Sequence, residues 1–254
     1  MKYQVSQYLK FLIRSSNQHG VHSPFVYNLV TKCFYDRKTY PVYKIITAYK
    51  KALTNNKESI TITDLGAGSL TTNQNTRPIR SIAKHSGTSL KRAKLLYRLV
   101  NYLECLSVLE LGTSLGIGTH ALALGENSKI TTVEGCPNIY NFTKENLKSF
   151  TNTTLIHSDF SSAIENLKSN AYDLVFFDGH HTKQPTLAYF EALLESTHND
   201  SVFIFDDIYW SEDMTEAWET IKQHPKVKVT IDTFYWGFVF FRKEQEKEHF
   251  TIRV

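Results

Sequence analysis

Acidic and imidazole side chains gather at two places in the second half of the chain. One is Asp178-Gly179-His180-His181, directly after the apolar run Asp173–Phe177. The other is Asp206-Asp207, directly after the run Ser201–Phe205. If both runs are strands of one open parallel sheet, these groups lie beyond its carboxyl ends, where such sheets bind ligands. Three carboxylates brought together (Asp178, Asp206 and Asp207) repel one another unless a positive charge sits among them. Oxygen-rich ligation suits Mg²⁺, which retains several waters. A cation there lowers the pKa of a bound hydroxyl. His181, near its working pKa at neutral pH, is then the candidate general base.

A second constellation stands earlier. Val108-Leu-Glu110-Leu-Gly112-Thr113-Ser114-Leu-Gly116-Ile-Gly118-Thr119 runs from a strand pattern into glycines that open a helix. Glycines permit a tight turn and the close approach of a ligand. Free N–H groups at the helix start bind polar or anionic atoms. The next strand pattern ends in Glu134, 22 residues after Gly112. An acid at that place suits the two hydroxyls of a ribose. The third ends in His157-Ser-Asp159-Phe160, where an acid and an aromatic suit an adenine's amino group and ring face. The glycines are spaced Gly-x-x-x-Gly-x-Gly rather than Gly-x-Gly-x-x-Gly, which disfavours NAD, and there is no P-loop sequence.

The elements that must position these residues follow a regular alternation from Ser107 on. Strands are expected at Val108–Leu111, Lys129–Val133, Thr154–His157, Asp173–Phe177 and Ser201–Phe205, each followed by a helix. Two closing strands, Lys226–Ile231 and Tyr235–Phe241, come without a helix between them. Short strand–helix–strand connections imply a doubly wound α/β fold with a mostly parallel seven-stranded sheet and an antiparallel last strand. The first hundred residues read as a mainly helical extension. Ser23-Pro24 is a helix start, and one helix is expected from Ile79 to about Tyr102. The domain reading is 1–104 for the helical region and 105–254 for the α/β domain.

Composition narrows the class. A chain of 254 residues, with Phe 16, Tyr 14, Trp 3 and a net charge of +4, has the make-up of a globular protein rather than a disordered one. No apolar run approaches the roughly 20 residues that span a bilayer. The N-terminus lacks the apolar core of a signal peptide, and three scattered cysteines make no disulfide framework, so a reducing, cytoplasmic setting is expected. Residues 1–104 carry 17 Lys/Arg against 4 Asp/Glu, and residues 105–254 carry 12 against 21. The basic half reads either as a solvated surface or as a contact for an anionic partner. A second glycine turn, Asp64–Ser69, has no strand–acid series after it and reads as a decoy for ligand binding. His19–Phe25 reads as loop and cap chemistry or as a cover over the site, and Trp210, Trp218 and Trp236 as core or pocket wall.

The stretch Glu110-Leu-Gly-Thr-Ser-Leu-Gly-Ile-Gly118 resembles the glycine motif of class I S-adenosylmethionine-dependent methyltransferases, in the Gly-Thr form of catechol-type O-methyltransferases. The resemblance covers about residues 105–242 and implies a Rossmann-like fold with an antiparallel last strand. It implies that Glu110, Gly112, Thr113, Ser114, Gly116 and Gly118 shape the methionine end of a cofactor site. Glu134 would hold the ribose, Asp159 with Phe160 the adenine, and Asp178 would also touch the cofactor. The pattern Asp-Gly-x-His with a later acidic pair resembles a bacterial branch of macrolide-sugar O-methyltransferases. Carried over, Asp178, Asp206 and Asp207 are metal ligands, and Asp178 and His181 form the catalytic pair. Those relatives often carry Glu where Asp206 stands. The implied activity is O-methylation of a small-molecule acceptor, Mg²⁺-assisted, in a chain that could pair as a homodimer. The alternatives are an RNA or tRNA methyltransferase gripping nucleic acid with the basic N-terminal region, and a non-catalytic adaptor that keeps the fold.

Overall fold

Local sequence chemistry accounts for where elements begin and stop. A computed structural model describes residues 2–63 and 76–254. In chain order the elements are α1 (Lys2–Arg14), α2 (Pro24–Leu29), α3 (Val42–Asn55), β1 (Ser59–Thr61), β2 (Thr76–Pro78), α4 (Ile79–His85), α5 (Leu90–Tyr102), β3 (Ser107–Leu111), α6 (Ile117–Ala123), β4 (Lys129–Glu134), α7 (Pro137–Leu147), β5 (Thr153–His157), α8 (Phe160–Leu167), β6 (Leu174–Phe177), α9 (Lys183–Leu193), β7 (Val202–Asp206), α10 (Glu212–Gln223), β8 (Val229–Asp232), β9 (Trp236–Phe240) and β10 (Glu248–Thr251). The glycine turn Asp64–Ser69 lies outside the described residues. Ser23 caps α2 as expected, its Oγ accepting from Val26 N at 3.4 Å. The single helix expected over Ile79–Tyr102 is two. Ser86 and Gly87 both donate to the Ile82 carbonyl and close α4. Ser89 then caps α5 by accepting from Arg92 N.

The chain divides into two compact units, residues 36–163 and residues 1–35 with 164–254. In the first, β3, β4 and β5 pair in parallel in that order, with Glu110 opposite Thr132 and Glu134 opposite His157. β1 and β2 form a small antiparallel ribbon. Helix α5 buries Leu95, Leu96, Leu99 and Val100 along one face, the spacing that an amphipathic helix needs.

The second unit orders its strands β10-β8-β9-β7-β6. β6 and β7 are parallel, and β9 runs antiparallel to both β7 and β8. All of β6, β7, β8 and β9 is buried, which is why β6, β7 and β9 read as nearly continuous apolar runs. The architecture is Rossmann-like and mostly parallel. The two units together hold eight such strands rather than seven. The additional strand, β10, pairs in parallel with β8, buries Phe250 and ends beside Ser16 of the N-terminal segment. Its four residues follow a charged run and carry one apolar side chain, so they leave almost no periodic signal.

Candidate active site

The glycine turn leaves β3 and enters α6. Gly116 sits at φ +73, where a side chain is strained, and a Cβ there would lie 2.9 Å from Thr143 Cγ2. At Gly118 a Cβ would lie 2.7 Å from Glu110 Oε1, so the glycine makes room for a carboxyl beneath the first turn of α6. Glu110 is 1% exposed. Its Oε2 accepts from Thr119 Oγ1 at 2.5 Å and from Thr132 Oγ1 at 2.6 Å. Thr113 Oγ1 lies 2.6 Å from Thr132 Oγ1. Burial pushes the Glu110 carboxyl up to about 7, against the two threonine hydroxyls. Glu110 therefore braces the turn from below.

Glu134 reaches the turn from β4. Ser114, at φ 48, donates its N–H to Glu134 Oε2 at 2.9 Å, and Cys136 N donates to Oε1 at 2.8 Å. The Ser114 carbonyl accepts from Thr143 Oγ1. Burial raises the Glu134 pKa, opposed by these backbone donors. The Gly135 N–H also bonds this carboxylate, and of the roughly four acceptor sites on its two oxygens capacity remains for a further hydroxyl donor. Asp159 is exposed, and its Oδ1 accepts from Ser162 N at 2.9 Å, which caps α8. That bond holds its carboxyl below the usual range. Phe160 is the first residue of α8. The His157 ring stacks on Tyr140 at 5.0 Å.

In the other unit, parallel pairing of β6 with β7 sets Phe177 opposite Phe205, so the residues that follow leave the sheet side by side. Ligand atoms of Asp178, His181 and Asp206 lie within 4.8 Å of one another. Asp206 is 7% exposed. His180 and Asp207 both hold positive φ, 55 and 53. The His180 carbonyl accepts from Thr182 N, and the Asp207 carbonyl accepts from Trp210 N. Strain of this kind costs on the order of 1–3 kcal/mol per residue and concentrates at functional loops. Asp207 stands outside the cluster and His181 takes the third place. Successive strand residues point to opposite faces, and the left-handed turn at Asp207 carries the chain away toward Trp210. Asp207 instead lines a cavity of about 320 Å³ with α1, Trp210 and Phe234.

Residues 109–208 match the family described as a methyltransferase domain. The matched stretch runs from within β3 to just past the end of β7. The domain resembles solved structures across most of the chain. A methyltransferase from Podospora anserina with S-adenosylhomocysteine bound aligns with a TM-score of 0.61 at 13% identity, covering 88% of this chain and 98% of that one. An O-methyltransferase from Bacillus cereus in complex with S-adenosylhomocysteine gives 0.54 at 18%, covering 81% and 91%. The O-methyltransferase TomG from Streptomyces achromogenes, involved in tomaymycin synthesis and in complex with S-adenosylmethionine, gives 0.54 at 17%, covering 62% and 82%. At these identities the likeness is one of fold. No curated protein matches the chain. Among the described residues, no helix is long and apolar enough to cross a membrane.

Sequence reasoning about the methyltransferase domain stopped short of the cavity beside Asp207. Its wall from α1 carries Val5, Tyr8 and Leu9, all exposed apolar side chains. The available signal was the amphipathic pattern of α1, whose second apolar flank exceeds what the buried Phe11 needs. Nothing in the pattern tied that flank to Trp210, more than 200 residues away.

Proposed function

We propose that this protein transfers the methyl group of S-adenosylmethionine to an oxygen of a small-molecule acceptor. The observation that carries the reading is the Glu134 carboxylate, clamped by Ser114 N and Cys136 N against the glycine turn with free acceptor capacity left for a ribose diol. S-adenosylmethionine supplies an electrophilic methyl carbon on a sulfonium, and transfer to oxygen leaves S-adenosylhomocysteine. Gly112, Thr113, Ser114, Gly116 and Gly118 receive the methionine end, and Asp159 with Phe160 the adenine. His181 takes the proton of the acceptor hydroxyl through its imidazole. The carboxylates of Asp178 and Asp206 beside it favour the imidazolium that forms. Alignment of donor and acceptor does most of the remaining work, since the reaction is a single in-line displacement.

The two carboxylates of the cluster, Asp178 and Asp206, fit a divalent cation, with the His181 imidazole beside them kept for proton transfer. Asp178 and Asp206 would hold it, and it would acidify the acceptor hydroxyl. The test is calorimetric titration of S-adenosylhomocysteine into the full chain, with Mg²⁺ and again with EDTA. Micromolar binding is expected in both buffers. No binding in either buffer would end the donor reading and favour an adaptor that keeps the fold.

A further inference from the structure

The basic character of the first hundred residues is strongest over residues 36–104, which carry 13 Lys/Arg against 4 Asp/Glu. Part of that charge surrounds a cavity of about 630 Å³ where the chain enters α3, wholly within the unit of residues 36–163. Its lining joins the cations Arg37, Lys38, Lys44 and Lys94 to the rings of Tyr40 and Tyr43. Among the described residues that line it, Asp36 is the one acid, and it is already engaged. Its Oδ2 accepts from Tyr40 Oη at 2.6 Å and its Oδ1 from Lys38 N at 2.8 Å. The bond to Asp36 pushes the Tyr40 hydroxyl up to about 12, so the ring adds no negative charge at neutral pH. Lys38 offsets the charge of Asp36, which leaves Arg37, Lys44 and Lys94. Among the described residues, none of these three meets a carboxylate in an ion pair. Elsewhere lysines stand beside acids, as Lys183 does with Glu216 and Lys222 with Glu219, each at 2.7 Å.

The floor of the cavity is held in place from α5. Tyr40, Tyr43 and Tyr97 meet edge-on, with centroids 5.3 to 6.0 Å apart. Lys94 and Arg98, one turn apart on α5, both reach Tyr43. Arg98 Nη1 donates to Tyr43 Oη at 2.9 Å, and Lys94 Nζ lies 5.0 Å from the ring centroid. That cation–π contact fixes the Lys94 ammonium at the cavity wall. The first turn of α3 supplies Tyr43 and Lys44 to the lining, so the positive end of the helix dipole adds to the field there. Like charges gathered without counter-charge repel one another, and a bound anion removes that cost. Phosphate suits them, because it is close to a dianion at neutral pH and its oxygens match the arginine fork. The tyrosine floor offers apolar surface to whatever carries the phosphate.

We propose that this cavity binds a phosphate ester, with the phosphate between Arg37, Lys44 and Lys94 and the organic part against Tyr40. The volume falls in the range of pockets that hold small molecules, about 300 to 1,000 Å³. The assignment stands apart from the methyl-transfer reading, since none of these residues belongs to the donor turn. Helix α3 touches that turn further along, where Tyr49 Oη donates to the Leu115 carbonyl at 2.8 Å. A free ester and a nucleic-acid strand both offer this chemistry, and the test separates them.

The test is calorimetry of the full chain at low ionic strength, where surface charge is least screened. The probes are phenyl phosphate, inorganic phosphate and an oligouridylate, none of which carries adenine. Saturable phenyl phosphate binding is expected, tighter than that of inorganic phosphate. The double variant Arg37→Gln/Lys44→Gln should weaken it at least about tenfold. Lys51→Gln/Lys57→Gln removes the same charge from positions outside the cavity and should leave it unchanged. All four positions are exposed, so folding is not at stake, and matching thermal unfolding midpoints check this. Absence of binding by both phenyl phosphate and the oligouridylate would overturn the proposal. So would equal weakening by the two double variants, because bulk charge would then explain the binding. Phenyl phosphate that binds no tighter than inorganic phosphate would overturn the place given to Tyr40. Oligouridylate binding that is the tighter of the two and is lost in Arg37→Gln/Lys44→Gln would uphold the site and give the phosphate to a strand. Oligouridylate binding weaker than that of phenyl phosphate would uphold the site for a small ester.

Discussion

Glu110 gives a prediction that needs no substrate. Its carboxyl is fully buried and rises from 4.5 to about 7 on folding. The folded state therefore holds a proton that the unfolded chain releases between pH 4.5 and 7. With more protons bound in the native state, stability falls as pH rises across that window. The displacement, at about 1.4 kcal/mol per pH unit, amounts to about 3 kcal/mol lost between pH 4.5 and 8. Glu110→Gln keeps the shape and an oxygen for the Thr119 and Thr132 hydroxyls but cannot ionise. Its stability relative to wild type should climb by about 3 kcal/mol from pH 4.5 to pH 8. Urea unfolding of both proteins at half-unit steps reads the difference directly, and contributions from all other titrating groups cancel. A difference that stays flat with pH would mean that the carboxyl is ionised at little cost, and the account of Glu110 as a buried brace would be wrong.

Four further outcomes follow from the same geometry. His120 is buried, stacked on Tyr49 at 4.3 Å, with Nδ1 lacking a partner among the described residues, and burial lowers its pKa from 6.5 to about 4. Stability linked to its neutral ring is present above pH 6.5 and lost toward pH 4, so His120→Phe should be more stable than wild type by about 1–2 kcal/mol at pH 5 in thermal unfolding; equal acid sensitivity would refute this. Glu134→Ala removes the acceptor of the backbone N–H groups around it and should cost about 1–3 kcal/mol of stability and at least tenfold in S-adenosylhomocysteine affinity, while unchanged affinity would move the ribose elsewhere. His181→Ala should lower turnover about 10²–10⁴-fold with donor affinity intact. Asp206→Asn should abolish any response of turnover to EDTA, and turnover in wild type that ignores EDTA would end the divalent-cation assignment.

Much of the strand and turn pattern around the candidate site was legible because it is local. Glycines at 112, 116 and 118, the acid at 134 and the acid–aromatic pair at 159–160 sit where strand ends pass into helices, and both periodicity and residue type mark those points. The strand at Glu248–Thr251 was not legible, because its pairing with β8 rests on main-chain bonds that any residue could make. The break between α4 and α5 was legible only in retrospect, from Gly87 and Ser89.

By itself the sequence determined the strand–helix alternation over residues 107–241, the glycine turn and the list of titratable groups able to react. These follow from backbone freedom, side-chain periodicity and functional groups, all of which act over a few residues. Tertiary structure alone decided that His181 rather than Asp207 completes the cluster with Asp178 and Asp206, and that Tyr8 and Leu9 stand over Trp210. The first depends on which way a side chain leaves a strand end at a left-handed residue. The second depends on hydrogen bonds between residues some 200 positions apart, Gln4 to Trp210 and Tyr3 to Thr215. No local pattern encodes either one, because each partner alone is an ordinary polar or aromatic residue until packing brings them together.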